Sequence, residues 1–156
     1  MKKLNILLIG GTKDASNITK HIKEKYDSYI LTTTTTEYGS KLAIESGSDD
    51  TIAKPLLKDE FITLIETNEF NLLIDATHPY ASHITQTTVS LSKLFNITYI
   101  RFERPPSNLD NVDTSRVHEV TSLDEAGKLI ASDFTSGNVL HLAGANTMEA
   151  ILKYVP

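Results

Sequence analysis

The sequence predicts an α/β fold built on a doubly wound parallel sheet, and three observations carry that expectation. Apolar, β-branched runs of strand length alternate with segments whose apolar residues recur at helical spacing. The strand-type runs are nearly continuously apolar, as in Leu4–Ile9 and Leu72-Leu73-Ile74, which suits strands buried on both faces. Helical segments separate successive strands, and that order implies parallel β-α-β units with right-handed crossovers.

The elements follow in order. Leu4–Ile9 forms the first strand, interrupted by Gly10-Gly11-Thr12. From Asp14 to about Lys25, Ala15, Ile18 and Ile22 mark one face of a helix. Tyr29–Thr34 is a β-branched second strand ending in threonines, and Glu37–Glu45 a short helix. Thr51–Ala53 makes a short third strand stopped by Pro55, and Lys58–Thr67 the next helix. Leu72–Asp75 is the fourth strand. Pro79 suits the first turn of a helix running to about Phe95, and Ile97–Phe102 is the fifth strand, terminated by Pro105-Pro106.

Ser107–Thr114 is polar and reads as a linker. Val117–Val120, Leu123–Ala131, Val139–Leu142 and Met148–Tyr154 then repeat the strand–helix–strand–helix rhythm. Residues 1–106 are thus expected to form a complete nucleotide-binding domain. Residues 107–156 are expected to supply a linker and the first part of a second, incomplete α/β domain.

Composition narrows the function. Of 156 residues, 40% are hydrophobic and 22% charged, with a net charge of −5, which fits neither a disordered polyelectrolyte nor a membrane protein. The charge is uneven: residues 1–106 carry 12 basic and 13 acidic side chains, net −1, against 3 and 7, net −4, in the remainder. No concentrated basic surface invites nucleic acid. The opening apolar run ends after six residues at Gly10, too short for the roughly 7–15 residues of a secretion signal. Without cysteine there is no disulfide, thiolate nucleophile or thiolate metal site. The expected location is the cytoplasm.

Four motifs carry chemistry. Gly10-Gly11-Thr12-Lys13-Asp14-Ala15 joins the first strand to its helix. Glycines there allow a tight turn and close approach of a phosphate, while the helix N-terminus offers unpaired N–H groups and a positive dipole end. Thr12 can cap the helix or bind phosphate, Lys13 adds a positive charge, and Asp14 should point away from an anion. This Rossmann-like turn departs from the full G-x-G-x-x-G pattern, and its position at the end of the first strand favours a ligand role over an ordinary turn.

The second strand ends in Thr32-Thr33-Thr34 where a carboxylate would hold a ribose 2′-hydroxyl. Hydroxyls serve either a 2′-hydroxyl or a 2′-phosphate, so NAD and NADP both remain open; as a plain strand end the threonines would be solvated. Asp75-Ala76-Thr77-His78-Pro79-Tyr80-Ala81 follows the fourth strand, with Thr77 or His78 expected at the helix cap. His78 and Tyr80 can each donate a hydrogen bond or proton. Arg101-Phe102-Glu103-Arg104-Pro105-Pro106 ends the fifth strand; alternation sets Arg101 with Glu103 and Phe102 with Arg104. Each arginine either pairs with a nearby acid or recognises carboxylates of an anionic ligand. His78 and His83 would stand about 140° apart around a helix, so no metal site is expected.

Together these motifs resemble the precorrin-6A reductase family of corrin biosynthesis, with the match strongest over residues 4–106 and Glu37-Tyr38-Gly39 adding to it. Leu140-His141-Leu142-Ala143-Gly144-Ala145-Asn146 more loosely resembles the opening of the family's second half. The resemblance implies reduction of one double bond of the precorrin-6A macrocycle, or its cobalt form, to the 6B level by NADPH, with NADH possible. It implies a tetrapyrrole as the small-molecule partner and neither nucleic acid nor membrane. It places the pyrophosphate on Gly10, Gly11, Thr12 and Lys13 and the adenosine ribose on Thr32, Thr33 and Thr34. It places the nicotinamide side on Asp75, Ala76, Thr77 and Pro79. His78 and Tyr80 then border the macrocycle as the catalytic pair, and Arg101 or Arg104 meets its carboxylates.

Two departures stand out. Ala43-Ile44-Glu45-Ser46-Gly47 replaces a glycine- and arginine-rich segment found in some members, which weakens the case for a 2′-phosphate contact. The chain also ends at Pro156, soon after the second half begins, and the macrocycle is expected to lie between halves. Competing classes are a non-catalytic dinucleotide-binding or sensor module and a Rossmann-fold nucleotide-sugar enzyme. The latter lacks its Tyr-x-x-x-Lys pair here, since no tyrosine has lysine four residues on.

Overall fold

The structure, a computed structural model, describes residues 3–105, 113–134, 136–144 and 147–155. Most of the expected linker Ser107–Thr114, together with Pro106, Ala145 and Asn146, lies outside the described residues. The chain divides into two compact units, Met1–Pro105 and Pro106–Pro156.

In the first unit, five strands and four helices alternate: β1 (Leu4–Ile9), α1 (Lys13–Lys25), β2 (Ser28–Thr34), α2 (Glu37–Glu45), β3 (Asp50–Ala53), α3 (Lys58–Thr67), β4 (Leu72–Asp75), α4 (Ser82–Leu94) and β5 (Thr98–Arg101). All pairings are parallel and the strand order is β3-β2-β1-β4-β5. Register sets Ile9 beside Thr33 of β2 and Asp75 of β4, so β1 and β4 end level and β2 runs one residue further. The expected α/β, Rossmann-like sheet is the one observed.

The sheet buries both faces because its central strands are apolar at consecutive positions. Leu7, Ile9, Leu31 and Leu73 pack against Phe61 and Ile65 of α3 and Leu91 of α4. Ile6, Leu8, Ile30 and Ile74 pack on the opposite face against Ala15, Ile18 and Ile22 of α1. Helix spacing of 3.6 residues turns those α1 positions onto one stripe, which the sheet covers.

Two helix boundaries are informative. Thr12 caps α1, its hydroxyl accepting from the Ala15 N–H at 3.2 Å, as a threonine before an acidic first turn should. The helix after β4, in contrast, begins at Ser82 and not at Pro79. Pro79 and Tyr80 form a separate turn closed by the Ala81 N–H donating to the His78 carbonyl at 2.9 Å. Neither Thr77 nor His78 is the cap, because the Thr77 hydroxyl donates to Asp75 and the His78 ring accepts from the Tyr80 N–H.

The second unit contains α5 (Leu123–Asp133) and α6 (Met148–Leu152). Ser122 caps α5 by accepting from the Glu125 N–H, and Glu125 accepts in return from the Thr121 N–H and hydroxyl. Gly127 lies against Tyr154 so closely that an added Cβ would fall 2.7 Å from the ring. The strands expected at Val117–Val120 and Val139–Leu142 do not form among the described residues. A strand needs a neighbour to take its N–H and C=O groups, and here Val139, Leu140 and Leu142 are exposed instead.

Candidate functional site

The sheet reverses its order of progression between β1 and β4, and in open parallel sheets ligands gather in the crevice outside the strand ends at that point. A crevice of about 350 Å³ opens there. Its wall comes from Gly10–Thr12 after β1, Thr33–Thr35 at the end of β2, Lys54–Leu56 after β3, and Thr77, His78, Ala81 and His83 around the start of α4.

Each glycine of the β1 turn has its own reason. A Cβ on Gly10 would come within 2.8 Å of Thr32 Cγ2 and 3.3 Å of Ala15 Cβ, so its absence lets α1 approach β2. Gly11 has φ of +95°, which favours glycine, and an added Cβ there would meet nothing within 4 Å. The turn therefore faces open space. The N–H groups of Lys13 and Asp14 open α1 and have no carbonyl within the helix to bond. This cradle fits a pyrophosphate.

Thr12 joins the two sides of the switch point. Besides capping α1, its hydroxyl donates to the Ala76 carbonyl at 2.8 Å, and the Ala76 N–H donates to the Ile9 carbonyl. Of its two open readings, the structure thus realises the cap. Lys13 is exposed at the helix start. Asp14 does turn to a partner, meeting Arg104 Nε at 2.6 Å.

The threonines of β2 divide between faces. Thr32 is buried and its hydroxyl shares a 2.7 Å hydrogen bond with Ser48, on the side of the groove between α1 and α2. Thr34 is buried over Gly39, donating to the Thr36 carbonyl. Thr33 lies on the crevice wall and Thr35 beside it is exposed. The tract is therefore not a solvated strand end, because α2 and the β3 approach cover it. Strand alternation sets Thr33 on the opposite face from Thr32 and Thr34; Thr33, Thr34 and Thr35 line the crevice, whereas Thr32 lines the groove between α1 and α2.

Asp75 is the centre of the β4 side, although its own side chain is fully buried. Oδ1 accepts from the Thr77 N–H at 3.0 Å and the Thr77 hydroxyl at 2.7 Å, and pairs with Arg101 Nη1 at 2.7 Å. Oδ2 accepts from the Thr85 hydroxyl at 2.8 Å and the Tyr99 hydroxyl at 2.9 Å. Burial alone raises the Asp75 carboxyl, but the hydrogen bonds from Thr77, Thr85 and Tyr99 outweigh it and hold the group below its ordinary range. Tyr99 is correspondingly pushed up to about 12 by burial and by the Asp75 carboxylate it faces.

Arg101 is consumed by this network. Its fork reaches Asp75, the Thr77 hydroxyl at 2.9 Å and Glu103 at 3.1 Å. Arg104, by contrast, is more than half exposed. His78 and Tyr80 stand together at the tip of the β4 loop, both exposed, with ring centroids 5.0 Å apart. The Tyr80 N–H donates to His78 Nδ1, so the proton of the neutral ring resides on Nε2. Pro79 lies exposed between them and Ala76 is buried beneath.

The structure thus brings Gly10, Gly11, Thr12, Thr33, Thr34, Thr77 and His78 to one crevice and commits Asp75, Thr32 and Arg101 to internal bonds. Sequence reasoning missed Thr35, Lys54, Leu56 and His83 on the wall, and Tyr99 and Thr85 beneath it. Thr35, Lys54 and Leu56 had a signal, since residues following a parallel strand face the ligand edge, whereas His83 lies in the first turn of α4. Tyr99 and Thr85 had none, since only the fold carries them to Asp75.

A doubly wound sheet with a glycine turn after its first strand and a crevice at the switch point defines a Rossmann-like α/β protein. The family model described as Precorrin-6x reductase CbiJ/CobK matches residues 5–155, and the chain belongs to that family. It is 35% identical over 154 residues to the cobalt-precorrin-6A reductase of Methanococcus maripaludis, covering 98% of this chain and 59% of the relative. The corresponding protein of Methanocaldococcus jannaschii is 34% identical over 152 residues, covering 97% and 58%. A solved structure of a CobK precorrin-6A reductase superposes with a TM-score of 0.63 at 20% identity, over 80% of this chain and 47% of that one, which shows a shared fold. The chain spans somewhat under three fifths of the length of these curated relatives. Among the described residues, no helix is long and apolar enough to cross a membrane, and no three potential ligands gather as for a metal ion.

Proposed function

We propose that this chain supplies the nucleotide-binding part of an oxidoreductase that uses NADPH or NADH to reduce one double bond of precorrin-6A, or of cobalt-precorrin-6A, to the 6B level. One observation carries the reading: the open, positive-φ turn at Gly11 lies at the α1 N-terminus and at the sheet's switch point. The names of the curated relatives supply the substrate class. Residues 1–106 act as the nucleotide-binding domain. Residues 107–156 act as linker and first part of a second α/β domain. A small-molecule reduction with a diffusible coenzyme belongs in the cytoplasm.

The chain's own residues orient and exclude. Gly10 and Gly11 bring backbone close to the pyrophosphate, the Lys13 and Asp14 N–H groups bind it, and the Lys13 ammonium adds charge. Thr33 and Thr35 offer hydroxyls to the adenosine ribose. Asp75 serves by positioning Thr77, whose backbone and the neighbouring Ala76 and Pro79 border the nicotinamide. A bound reduced nicotinamide supplies the hydride. His78 and Tyr80 are both exposed, and either the His78 Nε2–H or the Tyr80 hydroxyl can donate a proton to the macrocycle. Arg104, exposed and paired with Asp14 among the described residues, can exchange that carboxylate for one on the macrocycle, whereas Arg101 is already committed.

Isothermal calorimetry with NADPH and with NADH tests the first part, and binding of at least one is expected. Failure of both to bind rejects the dinucleotide reading. Oxidation of NAD(P)H, followed by absorbance with precorrin-6A or its cobalt form, tests the reaction. No oxidation with a competent substrate leaves the non-catalytic binding module as the better account.

A further inference from the structure

We propose that Tyr99 and Thr85 are positioning residues of the crevice, holding the buried Asp75 carboxylate so that it fixes Thr77; the proposal rests on the dinucleotide reading above. The observation is a division of labour between two oxygens. Both hydroxyls, one from β5 and one from α4, converge on Oδ2, leaving Oδ1 to Thr77 and Arg101. Rotation of the carboxylate out of its present plane would abandon several donors at once. With the side chain fully buried, no water replaces a lost donor, so each hydroxyl restrains that rotation.

The restraint matters because Thr77 opens the loop on which His78, Pro79 and Tyr80 stand. Its N–H and its hydroxyl are both spent on Oδ1, and Arg101 Nη1 closes the triangle by donating to the same hydroxyl. Thr12 fixes the preceding Ala76 carbonyl from the α1 side. The loop is thus pinned at two successive residues, one to each side of the switch point. From β5, Tyr99 and Arg101 face Asp75, with Glu103 beyond Arg101. The residues facing it from α4 and β1, Thr85 and Ile9, carry no charge.

The experiment uses the full chain, with Tyr99→Phe compared with wild type by residue-resolved amide exchange and by NADPH and NADH calorimetry across pH. The Thr77 N–H should exchange about tenfold faster, the loss expected of one hydrogen bond to a buried charged group. Nucleotide should bind several-fold more weakly. The acid limb of binding should move to higher pH, because losing a donor to the ionised carboxylate raises its pKa, and binding that needs the anion then fails sooner as pH falls. A folded variant with wild-type exchange at Thr77 and an unmoved acid limb overturns the proposal. So does exchange accelerated equally at Leu73 and Thr77, which marks general loosening of the sheet. If Tyr99→Phe does not fold, Thr85→Val is read in the same way, with Thr85→Ser restoring wild-type exchange. If wild type binds neither nucleotide, the dinucleotide reading falls, and the Thr77 exchange alone decides the positioning role.

Discussion

The two sides of the crevice are made by different chemistry. The β1 side is backbone: two glycines, a capping threonine and the first N–H groups of α1, all within residues 10–15. The β4 side is a set of side chains around one buried carboxylate, drawn from β4, its loop, α4 and β5 over residues 75–103. A backbone site needs only the right local conformation. A side-chain site has to be assembled, and burial makes each missing partner expensive.

That contrast predicts an order of mutational effects. Asp75→Ala should be the most damaging, because it removes the buried counter-charge of the largely buried Arg101 guanidinium, leaving it only the exposed Glu103, and orphans the hydroxyls of Thr85 and Tyr99. Breaking a buried pair in this way costs about 3–5 kcal/mol, measurable by urea unfolding. A loss below about 1 kcal/mol would mean that Arg101 relaxes into solvent.

The two glycines should separate from each other. Gly10→Ala should destabilise by about 1–3 kcal/mol through its clash with Thr32 and Ala15. Gly11→Ala meets no atom and should cost only about 1 kcal/mol of backbone strain while losing most nucleotide affinity by blocking the cradle. Calorimetry and thermal melting on the same samples distinguish them, and equal loss of affinity with equal loss of stability would erase the distinction.

The smallest effect on stability is expected at the edge of the crevice. Arg104→Ala breaks an exposed pair with Asp14 and should change stability by less than about 1 kcal/mol. It should raise KM for the macrocycle more than the dissociation constant for nucleotide. Equal changes in both would place Arg104 with the pyrophosphate at the start of α1.

Legibility in the sequence followed the range of the interactions involved. Leu4–Ile9, Glu37–Glu45, Lys58–Thr67 and Leu72–Asp75 were readable to the residue, since hydrophobic spacing and flanking turn residues define them locally. The start of α4 was not, because Pro79 is compatible with a first helical turn and only the bonds made by Thr77 and His78 delay the helix to Ser82. Val117–Val120 and Val139–Leu142 look like strands locally and form none among the described residues. A strand is completed by its neighbours and not by its own pattern.

The sequence by itself determined the alternating strand and helix segments that imply a parallel sheet, the glycine turn after the first strand and the motifs that follow the strands, because each is a pattern written within a few residues. Only the tertiary structure decided how those motifs divide their tasks. It turned Thr33 toward the crevice and Thr32 away, paired Arg104 with Asp14 and spent Arg101 on Asp75. It also brought Tyr99 beneath the loop that it helps to hold. Which side chains are left free for a ligand is a property of the remaining ones that already have partners, and those partners are up to 90 residues apart in the chain.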